Sequence, residues 1–450
     1  MASFNNFIKK TPNYLQKLYY EIIPFHKRYG SEFLNTYNFL LNSIEWDRNK
    51  LLEYQNNELL KLIKHSYENV PYYTNLFDTH GIKLNNIQSK EDLKLLPLLT
   101  KEIIRDNLED LKATNFKNKK IYEFKTSGST GNKLIFYGTD SVYKNEAAFI
   151  LRAYKQHGAT LYNKPSVWLR RFVPKTSSDP LWYYDFELKR LYMSAYHMNP
   201  NSIKAYIDEI NSKNYHTLVA YPSSAYILAC LCEEQNLKIN TIKKIHVTSE
   251  TMLDQWRDKI KQVFGITPVA HYGAIEKVSL LHQTESSTDY YDNLEYGVTE
   301  FHSNGESDDI VATGFLNYYM PFIRYKTEDS VIINRYPNTN GLPNTVLTIN
   351  GRTSDILISK NGSRLPGVNF YSWIDKSVYG VKMFQIIQET RNDVIFNFIP
   401  SDKYSDKTIN EIRFGLISRL GELNFTINKL KEIKRNENSG KIRCIINKIC

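Results

Sequence analysis

The chain has 450 residues, of which 42% are hydrophobic, and a net charge of +10 from 58 basic and 48 acidic side chains. These values are ordinary for a globular protein, and they exclude a wholly disordered chain, a collagen-like repeat and a small disulfide scaffold. The positive charge mildly favours anionic partners such as nucleotides or coenzymes. The four cysteines are too scattered for a disulfide framework, and no run of residues reads as a signal peptide or a membrane span. We therefore expect a cytoplasmic protein with reduced thiols.

Residues 1–120 have the pattern of a helical segment. In the run LLEYQNNELLKLIKHSYENV, apolar side chains recur at three- and four-residue spacing, which predicts a helix. This helix should end before Pro71, because the residue that precedes a proline disfavours the α conformation. Further along, Ser89 and Asp92 have the spacing of a helix start.

The periodicity changes at about residue 121. The β-rich runs KPSVWLRRF, TLVAYP, KKIHVTSE and ITPVAHYG alternate with helical stretches, which is typical of parallel βαβ units. Strand patterns dominate between residues 297 and 350 and predict a β-rich subdomain packed against the βαβ layer. We therefore predict an α/β protein with a large N-terminal domain, made of a helical start at 1–120 and a core at 121–354, and a small α+β C-terminal domain at 355–450.

The segment TSGSTGNK, which begins at Thr126, is the most informative in the chain. Its glycines leave room for the close approach of an anion, and backbone amides in such a loop can point at a phosphate. Hydroxyl groups add further donors. A strand-like run follows, so the loop should join two β segments, unlike the P-loop, which opens a helix. Taken alone, the same run is also compatible with a Gly/Ser turn in a hairpin. The candidate phosphate-binding residues are Thr126, Ser127, Gly128, Ser129, Thr130 and Gly131.

This segment resembles the phosphate-binding signature of the adenylate-forming enzymes, which include acyl-CoA synthetases, peptide-synthetase adenylation domains and luciferases. Four further elements of that superfamily follow in its order: HYGAIE at 271–276, MPFIRYKTED at 320–329, GRTSDILISKNG at 351–362 and NSGKIR at 438–443. The runs ENVPYYTNLF and VTSETMLDQW are typical of the phenylacetate–CoA ligase-like branch, which includes homologues from capsule and O-antigen gene clusters. The resemblance covers nearly the whole chain.

The resemblance implies ATP-dependent activation of a small carboxylic acid to an acyl-adenylate, with transfer of the acyl group to an acceptor. The acceptor is left open between the thiol of CoA and an amine of an amino sugar or amino acid, and a role in surface polysaccharide biosynthesis is expected. ATP and Mg²⁺ are the expected cofactors, and CoA is a possible one. One alternative is a catalytically impaired nucleotide-binding homologue with a scaffolding role. Another is a nucleic-acid-binding protein, which the dispersed basic residues argue against.

The resemblance also implies roles for single residues. Glu276 would hold Mg²⁺, a cation that prefers carboxylate and phosphate oxygens. Tyr272 would stack on adenine, and Gly273 beside it is a further cofactor-binding candidate. Ser249 and Glu250 would line the adenine or acyl pocket. Asp329 would accept hydrogen bonds from the ribose hydroxyls, and Arg352 would approach the same sugar. Plainer interpretations exist for each residue taken singly: a solvated charge at a strand end, a core aromatic side chain, or a turn or salt-bridge residue.

Two implied roles depend on movement of the C-terminal domain. Lys441 would enter the site on that mobile domain and stabilise the transition state of adenylation, and Asp355 would be the hinge. A lysine in a polar tail is otherwise simply solvated.

Three positions depart from the family pattern. Ile275 replaces a threonine, Glu328 replaces a glycine and Lys133 replaces a proline, so the geometry at the α-phosphate is in question. The acyl pocket is expected within residues 165–225, where Arg170 and Arg171 could bind an additional anionic group of the acid or could simply end a strand. The pocket candidates are Trp168, Arg170, Arg171, Trp182, Tyr221 and Ser223.

Overall fold

The computed structural model describes most of the chain. The described residues are 8, 11–23, 25–126, 134–158, 165–170, 172, 174, 179–250, 252, 254–303, 308–334, 345–350, 356–366, 370, 373–374, 377–401, 403–431, 433 and 445–449. Among them, no helix combines the length and the apolar composition that a membrane crossing needs.

The N-terminal segment is helical, as predicted. Helix α3 ends at Asn69, and Val70 and Pro71 follow it as the sequence predicts. The predicted start at Ser89 is also present, since the Asp92 carboxylate accepts the backbone N–H of Ser89 at 3.0 Å, but the element is a 3₁₀ helix. The helices are α1 (Asn13–Ile22), α2 (Phe25–Ser43), α3 (Arg48–Asn69), α4 (Pro71–Thr79), the 3₁₀ helices Leu84–Asn86 and Lys90–Leu95, and α5 (Lys101–Asp106).

A two-stranded antiparallel hairpin follows, made of β1 (Ile121–Lys125) and β2 (Ile135–Thr139). Helix α6 (Asp140–Gln156) leads from it into a sheet whose centre is parallel. The strands of this part are β3 (Ser166–Arg170), β4 (Trp182–Asp185), β5 (Arg190–Ser194), β6 (Thr217–Ala220), β7 (Lys244–Thr248) and β8 (Val269–Gly273). The helices between them are α7 (Ile203–Ser212), α8 (Pro222–Glu234) and α9 (Asp254–Phe264).

The parallel strands lie in the order β5-β3-β6-β7-β8. The chain adds β5 on one side of β3, returns through α7 and adds β6 on the other side. The strand order therefore reverses between β3 and β6. In open α/β sheets such a switch point leaves a crevice outside the carboxyl ends of the strands, where ligands bind.

The two faces of this sheet are covered by different helices, because successive side chains of a strand point to opposite faces. Val167 and Leu218 belong to a core that includes Ile207 of α7 and Leu228 of α8. On the opposite face, Trp168 and Val219 pack with side chains of α2 and α6, among them Phe33, Leu40, Phe149 and Tyr154. This is a three-layer arrangement, in agreement with the predicted α/β class.

The predicted β-rich region is present, but the expectation that it packs against the layer is wrong, because its strands extend the same sheet. Strand β8 is followed by β9 (Leu280–Thr284), β10 (Ser287–Asp292), β11 (Gly297–Ser303), β12 (Asp308–Gly314), β13 (Tyr325–Asn334) and β14 (Thr345–Asn350). These strands are hydrogen-bonded in the order β11-β12-β13-β14-β10-β9-β8. The β10–β14 pairing at Tyr290 and Val346 joins the two parts edge to edge.

The C-terminal region has its own core, which includes Trp373, Phe396 and Leu416. Tyr196 of the larger part joins that core, and the Arg419 guanidinium lies 5.4 Å from its ring centroid. The elements are β15 (Ile356–Ile358), β16 (Arg364–Pro366), β17 (Val381–Gln388), β18 (Asp393–Pro400), α10 (Asp406–Leu420), β19 (Asn424–Lys429) and β20 (Ile445–Asn447). The domain boundaries at residues 120 and 354 stay predictions.

Candidate functional site

The candidate phosphate loop joins β1 and β2. At its base, the Thr126 N–H donates to the Leu134 carbonyl at 3.0 Å, and the Thr126 hydroxyl accepts the Leu134 N–H at 3.0 Å. This double contact closes the loop where the hairpin ends. Ser127, Gly128, Ser129, Thr130 and Gly131 lie outside the described residues, so their contacts with phosphate stay a prediction.

The hairpin is fastened to the segment that precedes β13. The Asn317 side-chain amide donates to the Tyr137 carbonyl at 2.8 Å, and its oxygen accepts the Met320 N–H at 3.2 Å. Asn317 is buried, so both of its polar ends need such partners. The β1–β2 hairpin and the MPFIRYKTED element are thereby held together.

Two of the predicted residues meet at the carboxyl end of β8. The Tyr272 hydroxyl donates to the Asp329 carboxylate at 2.8 Å. Asp329 belongs to β13, where its backbone N–H donates to the Thr327 hydroxyl at 3.2 Å. Burial raises the pKa of Tyr272, and the Asp329 charge raises it further. Tyr272 therefore stays neutral and can orient the Asp329 carboxylate.

Glu276 lies in the turn after β8 and is 9% exposed. The Tyr325 hydroxyl donates to its Oε1 at 2.6 Å. Burial raises the pKa of Glu276, whereas the bond from Tyr325 and the charge of Lys101 lower it. The net shift is upward because burial is the largest of these effects, and a bound cation would favour the ionised form.

Two glycines allow the backbone after Glu276 to reach this position. A Cβ atom on Gly314 would lie 2.4 Å from the Lys277 carbonyl oxygen and 2.7 Å from the Val278 Cα. A Cβ atom on Gly297 would lie 2.9 Å from the Val278 carbonyl oxygen. Since real Cβ atoms do not approach so closely, any side chain at these positions would push the Glu276 turn outward.

Tyr325 and Lys101 are two site residues that the sequence did not predict. Leu99 pairs with Tyr325 in a parallel bridge, and its N–H donates to the Arg324 carbonyl at 2.9 Å. This bridge brings Lys101 to the Glu328 carboxylate at 2.6 Å. No local signal marks Lys101, because its partner lies 227 residues away. Tyr325 stands inside a quoted motif, but its contact with Glu276 depends on the tertiary structure.

Glu328 has a φ of 66°. This is the left-handed region that glycine adopts without strain, and glycine is the residue of the family pattern at this position. Glu328 therefore adopts a backbone conformation that a glycine would tolerate. Its side chain is paired with Lys101 at 2.6 Å, next to Asp329 in sequence.

The arginine of the same motif is structural. Arg324 is buried, and its guanidinium donates to both carboxylate oxygens of Glu300, at 3.2 and 3.0 Å. A third donation, at 2.5 Å, goes to the Leu96 carbonyl. Arg324 thus joins β11 and β13 to the N-terminal segment and supports the site from behind.

At a second departure, Ile275 is 40% exposed, which is high for an isoleucine beside buried neighbours. The remaining departure, Lys133, lies outside the described residues. Lys277, which could have supplied a replacement cation, is paired instead with Glu146 at 2.8 Å. Ser249 and Glu250 follow β7, and Ser249 has a φ of 72°. Left-handed backbone of this kind is concentrated at functional sites.

The acyl-pocket candidates divide between the two faces of the sheet. Arg170 ends β3, and its guanidinium lies 4.6 Å from the Trp168 ring centroid and 5.3 Å from that of Tyr221. Trp182 is on the opposite face, where its ring meets Tyr206 of α7 at 5.7 Å. The structure therefore groups Trp168, Arg170 and Tyr221 without Trp182. Arg171 lies outside the described residues, as does the Ser223 side chain.

A histidine cluster lies under α6 on the same face as Arg170. His157 contacts His246 and His282 at ring-centroid distances of 5.6 and 6.2 Å, and His271 is the cross-strand partner of His282. Burial lowers the pKa of all four members, to about 4 for His157 and His271 and to about 3 for His282. These side chains are therefore neutral at pH 7.

The donor set can be compared with the expected Mg²⁺. Among the described residues, no group of three or more His, Cys, Asp or Glu side chains could hold a metal ion. Mg²⁺ is commonly bound by one or two carboxylates together with substrate phosphates rather than by a protein cage. A single buried carboxylate at Glu276 fits that mode.

Arg352, Asp355 and Lys441 lie outside the described residues. Their predicted roles at the ribose, at the hinge and in adenylation stay predictions.

Comparison with known proteins finds relatives in sequence and in fold. Residues 357–448 match the CapK C-terminal domain family. Protein CapK of Staphylococcus aureus is 27% identical over 413 residues, which cover 89% of this chain and 90% of that protein. Phenylacetate-coenzyme A ligase of Escherichia coli (strain K12) is 23% identical over 331 residues, 69% of this chain and 73% of the ligase.

Among solved structures, 2-hydroxyisobutyryl-CoA ligase in complex with 2-HIB-AMP and CoA has the same fold. Its TM-score is 0.53 at 15% identity, and the match covers 89% of this chain and 90% of that one. The predicted resemblance and fold class are confirmed: the chain is a homologue of CapK and of the phenylacetate-coenzyme A ligases, with the fold of the adenylate-forming CoA ligases.

Proposed function

We propose that this protein activates a carboxylic acid with ATP, forming an acyl-adenylate and pyrophosphate, and then transfers the acyl group to a thiol or an amine. The main support is the meeting of two pairs, Tyr272 with Asp329 and Glu276 with Tyr325, at the carboxyl end of β8. The members of each pair are 57 and 49 residues apart in sequence. Both pairs come from motifs that resemble those of adenylate-forming enzymes.

Adenylation requires stabilisation of the negative charge on the triphosphate and of the charge that develops at the α-phosphate. Glu276 would hold Mg²⁺, which when bound neutralises phosphate charge. Asp329, oriented by Tyr272, would accept hydrogen bonds from the ribose hydroxyls. The loop closed by Thr126 and Leu134 would surround the β- and γ-phosphates. Lys441 would act at the α-phosphate, and Arg352 would approach the ribose.

The acyl acceptor, a thiol or an amine, is to be identified by experiment. The relatives named phenylacetate-coenzyme A ligase favour the thiol of CoA. The similarity to Protein CapK keeps an amine acceptor in surface polysaccharide biosynthesis open. We propose offering CoA, amino sugars and amino acids to the enzyme after the acid has been identified.

The test of adenylation is Mg²⁺- and ATP-dependent release of pyrophosphate with a panel of carboxylic acids. Glu276→Gln should nearly abolish the release and leave the fold intact, because glutamine keeps the shape and loses the charge. Glu68→Gln, at an exposed position of α3, is the matched control and should be fully active. Binding of Mg-ATP without pyrophosphate release from any acid would favour the impaired nucleotide-binding homologue instead.

A further inference from the structure

The switch point of the sheet carries a cation that the proposed chemistry does not use. Arg170 ends β3, and Tyr221 directly follows β6. These are the two strands between which the strand order reverses, so Arg170 lies at the mouth of the crevice that such a sheet provides for a ligand. It is separate from Glu276 and Asp329, which lie after β8 and on β13.

The described surroundings of Arg170 contain no negative charge that neutralises it. Its side chain is partly buried, and no carboxylate among the described residues forms an ion pair with it, although other arginines, such as Arg152 and Arg324, are paired with glutamates. Its neighbours are the rings of Trp168 and Tyr221, and its charge acts on His271 and Tyr154, which are neutral. Partial burial of a cation that has no carboxylate partner among the described residues is unfavourable, and an anionic ligand would relieve this.

The aromatic contacts also give Arg170 a defined orientation. Two ring faces restrict the guanidinium plane and leave its edge as a fork of N–H donors. Such a fork matches the two oxygens of a carboxylate in a bidentate arrangement.

We propose that the acid substrate is a dicarboxylic acid: one carboxylate is activated by ATP, and the other is bound by Arg170 at the switch point. This inference rests on the proposed adenylation and names its substrate class. Arg170 is then the residue that determines specificity for a diacid, and the rings of Trp168 and Tyr221 orient its guanidinium.

The experiment compares matched acids, such as succinate with butyrate, adipate with hexanoate and terephthalate with 4-methylbenzoate. The expected result is a preference of about 100-fold or more in kcat/KM for pyrophosphate release with one of the diacids, because a site built for a polar group rejects the analogue that lacks it. Arg170→Leu should lose most of the kcat/KM for the diacid and keep or raise that for the monoacid. Arg170→Lys, which keeps the charge, should retain part of the preference.

Arg190→Leu is the matched control. Arg190 also lies on the Trp168 ring, at 3.9 Å, but at the opposite end of the strands. Its loss should leave the ratio of diacid to monoacid unchanged. Equal activity of the wild type with both acids of every pair would overturn the inference and leave adenylation standing. An equal loss for both acids in Arg170→Leu would also overturn it.

A binding measurement separates the two proposals. Without ATP, the preferred diacid should raise the melting temperature of the wild type and of Arg190→Leu, but not that of Arg170→Leu. If no acid releases pyrophosphate but this pattern is seen, adenylation is wrong and the anion site is supported. If no acid releases pyrophosphate and no diacid raises the melting temperature, both proposals are wrong.

Discussion

Replacing Tyr325 by phenylalanine should change the ionisation of Glu276 while leaving the site's shape intact. The Tyr325 hydroxyl is the donor to Glu276 Oε1 at 2.6 Å, and the Tyr325 side chain is fully buried. A hydrogen bond to a charged group contributes about 1.5–3 kcal/mol, which corresponds to about a 10- to 100-fold change in an equilibrium constant. The proton affinity of Glu276 should rise by that factor, so the acid limb of the pH profile should move to higher pH.

The pH dependence of the stability follows from the direction in which the pKa of Glu276 is shifted. Burial already raises the pKa of Glu276 above that of an unfolded glutamate. The stability that this group contributes is therefore complete below the unfolded pKa and is lost as the pH rises through the folded pKa. Tyr325→Phe raises the folded pKa further. Its destabilisation in urea unfolding should be about 1.5–3 kcal/mol at neutral pH and smaller in acid, where Glu276 is protonated in both proteins.

The assay is the pH dependence of kcat/KM for pyrophosphate release, with urea unfolding at several pH values. Tyr206→Phe is the matched control, because the Tyr206 hydroxyl is buried and donates to a neutral acceptor, the Ser194 carbonyl, at 2.8 Å. It should destabilise the protein without moving the acid limb. An unchanged acid limb in Tyr325→Phe would refute the argument that ionised Glu276 is required for activity.

Three further outcomes are expected. Gly314→Ala should destabilise the protein by about 1–3 kcal/mol and lower pyrophosphate release, because its Cβ would strike the Lys277 backbone. The control is Gly265→Ala, which is strained at φ 68° but faces open space, and it should lose stability without losing activity. Equal activity of the two variants would contradict the role given to Gly314. Burial lowers the pKa of the histidine cluster, so the stability that these histidines contribute should be lost as the pH falls from 6.5 to about 4. A free energy of unfolding in urea that does not change over this pH range would exclude buried neutral histidines. Lys441→Ala should slow adenylation far more than acyl transfer from a supplied acyl-adenylate in single-turnover assays; equal losses would contradict the rotating-domain mechanism.

Glu328 stands where the family pattern has glycine, and it adopts a left-handed backbone conformation. The left-handed backbone that glycine would adopt is kept at a cost of about 1–2 kcal/mol. The nearby ion pair with Lys101 has Glu328 partly exposed, and such pairs contribute about 0–1 kcal/mol. The local conformation is therefore imposed by the β12–β13 pairing and not by the residue itself.

The sequence by itself determined the type of most elements. Helical spacing predicted α3 and its end before Pro71, and alternation of strands with helices predicted the parallel sheet, because both signals are local and repeat within a few residues. The order of the motifs predicted the superfamily. It also predicted that Glu276, Tyr272 and Asp329 belong to one site, although it could not say which of them touch.

Contacts between distant segments were decided by the tertiary structure alone. Lys101 reaches Glu328 because Leu99 pairs with Tyr325, and no periodicity encodes a partner on another element. Trp182 faces away from Trp168 because its strand pairs with β5 in a register that places it opposite Met193. A shift of one residue in that register would reverse the face of every side chain on the strand, and the register is set by packing across the whole sheet.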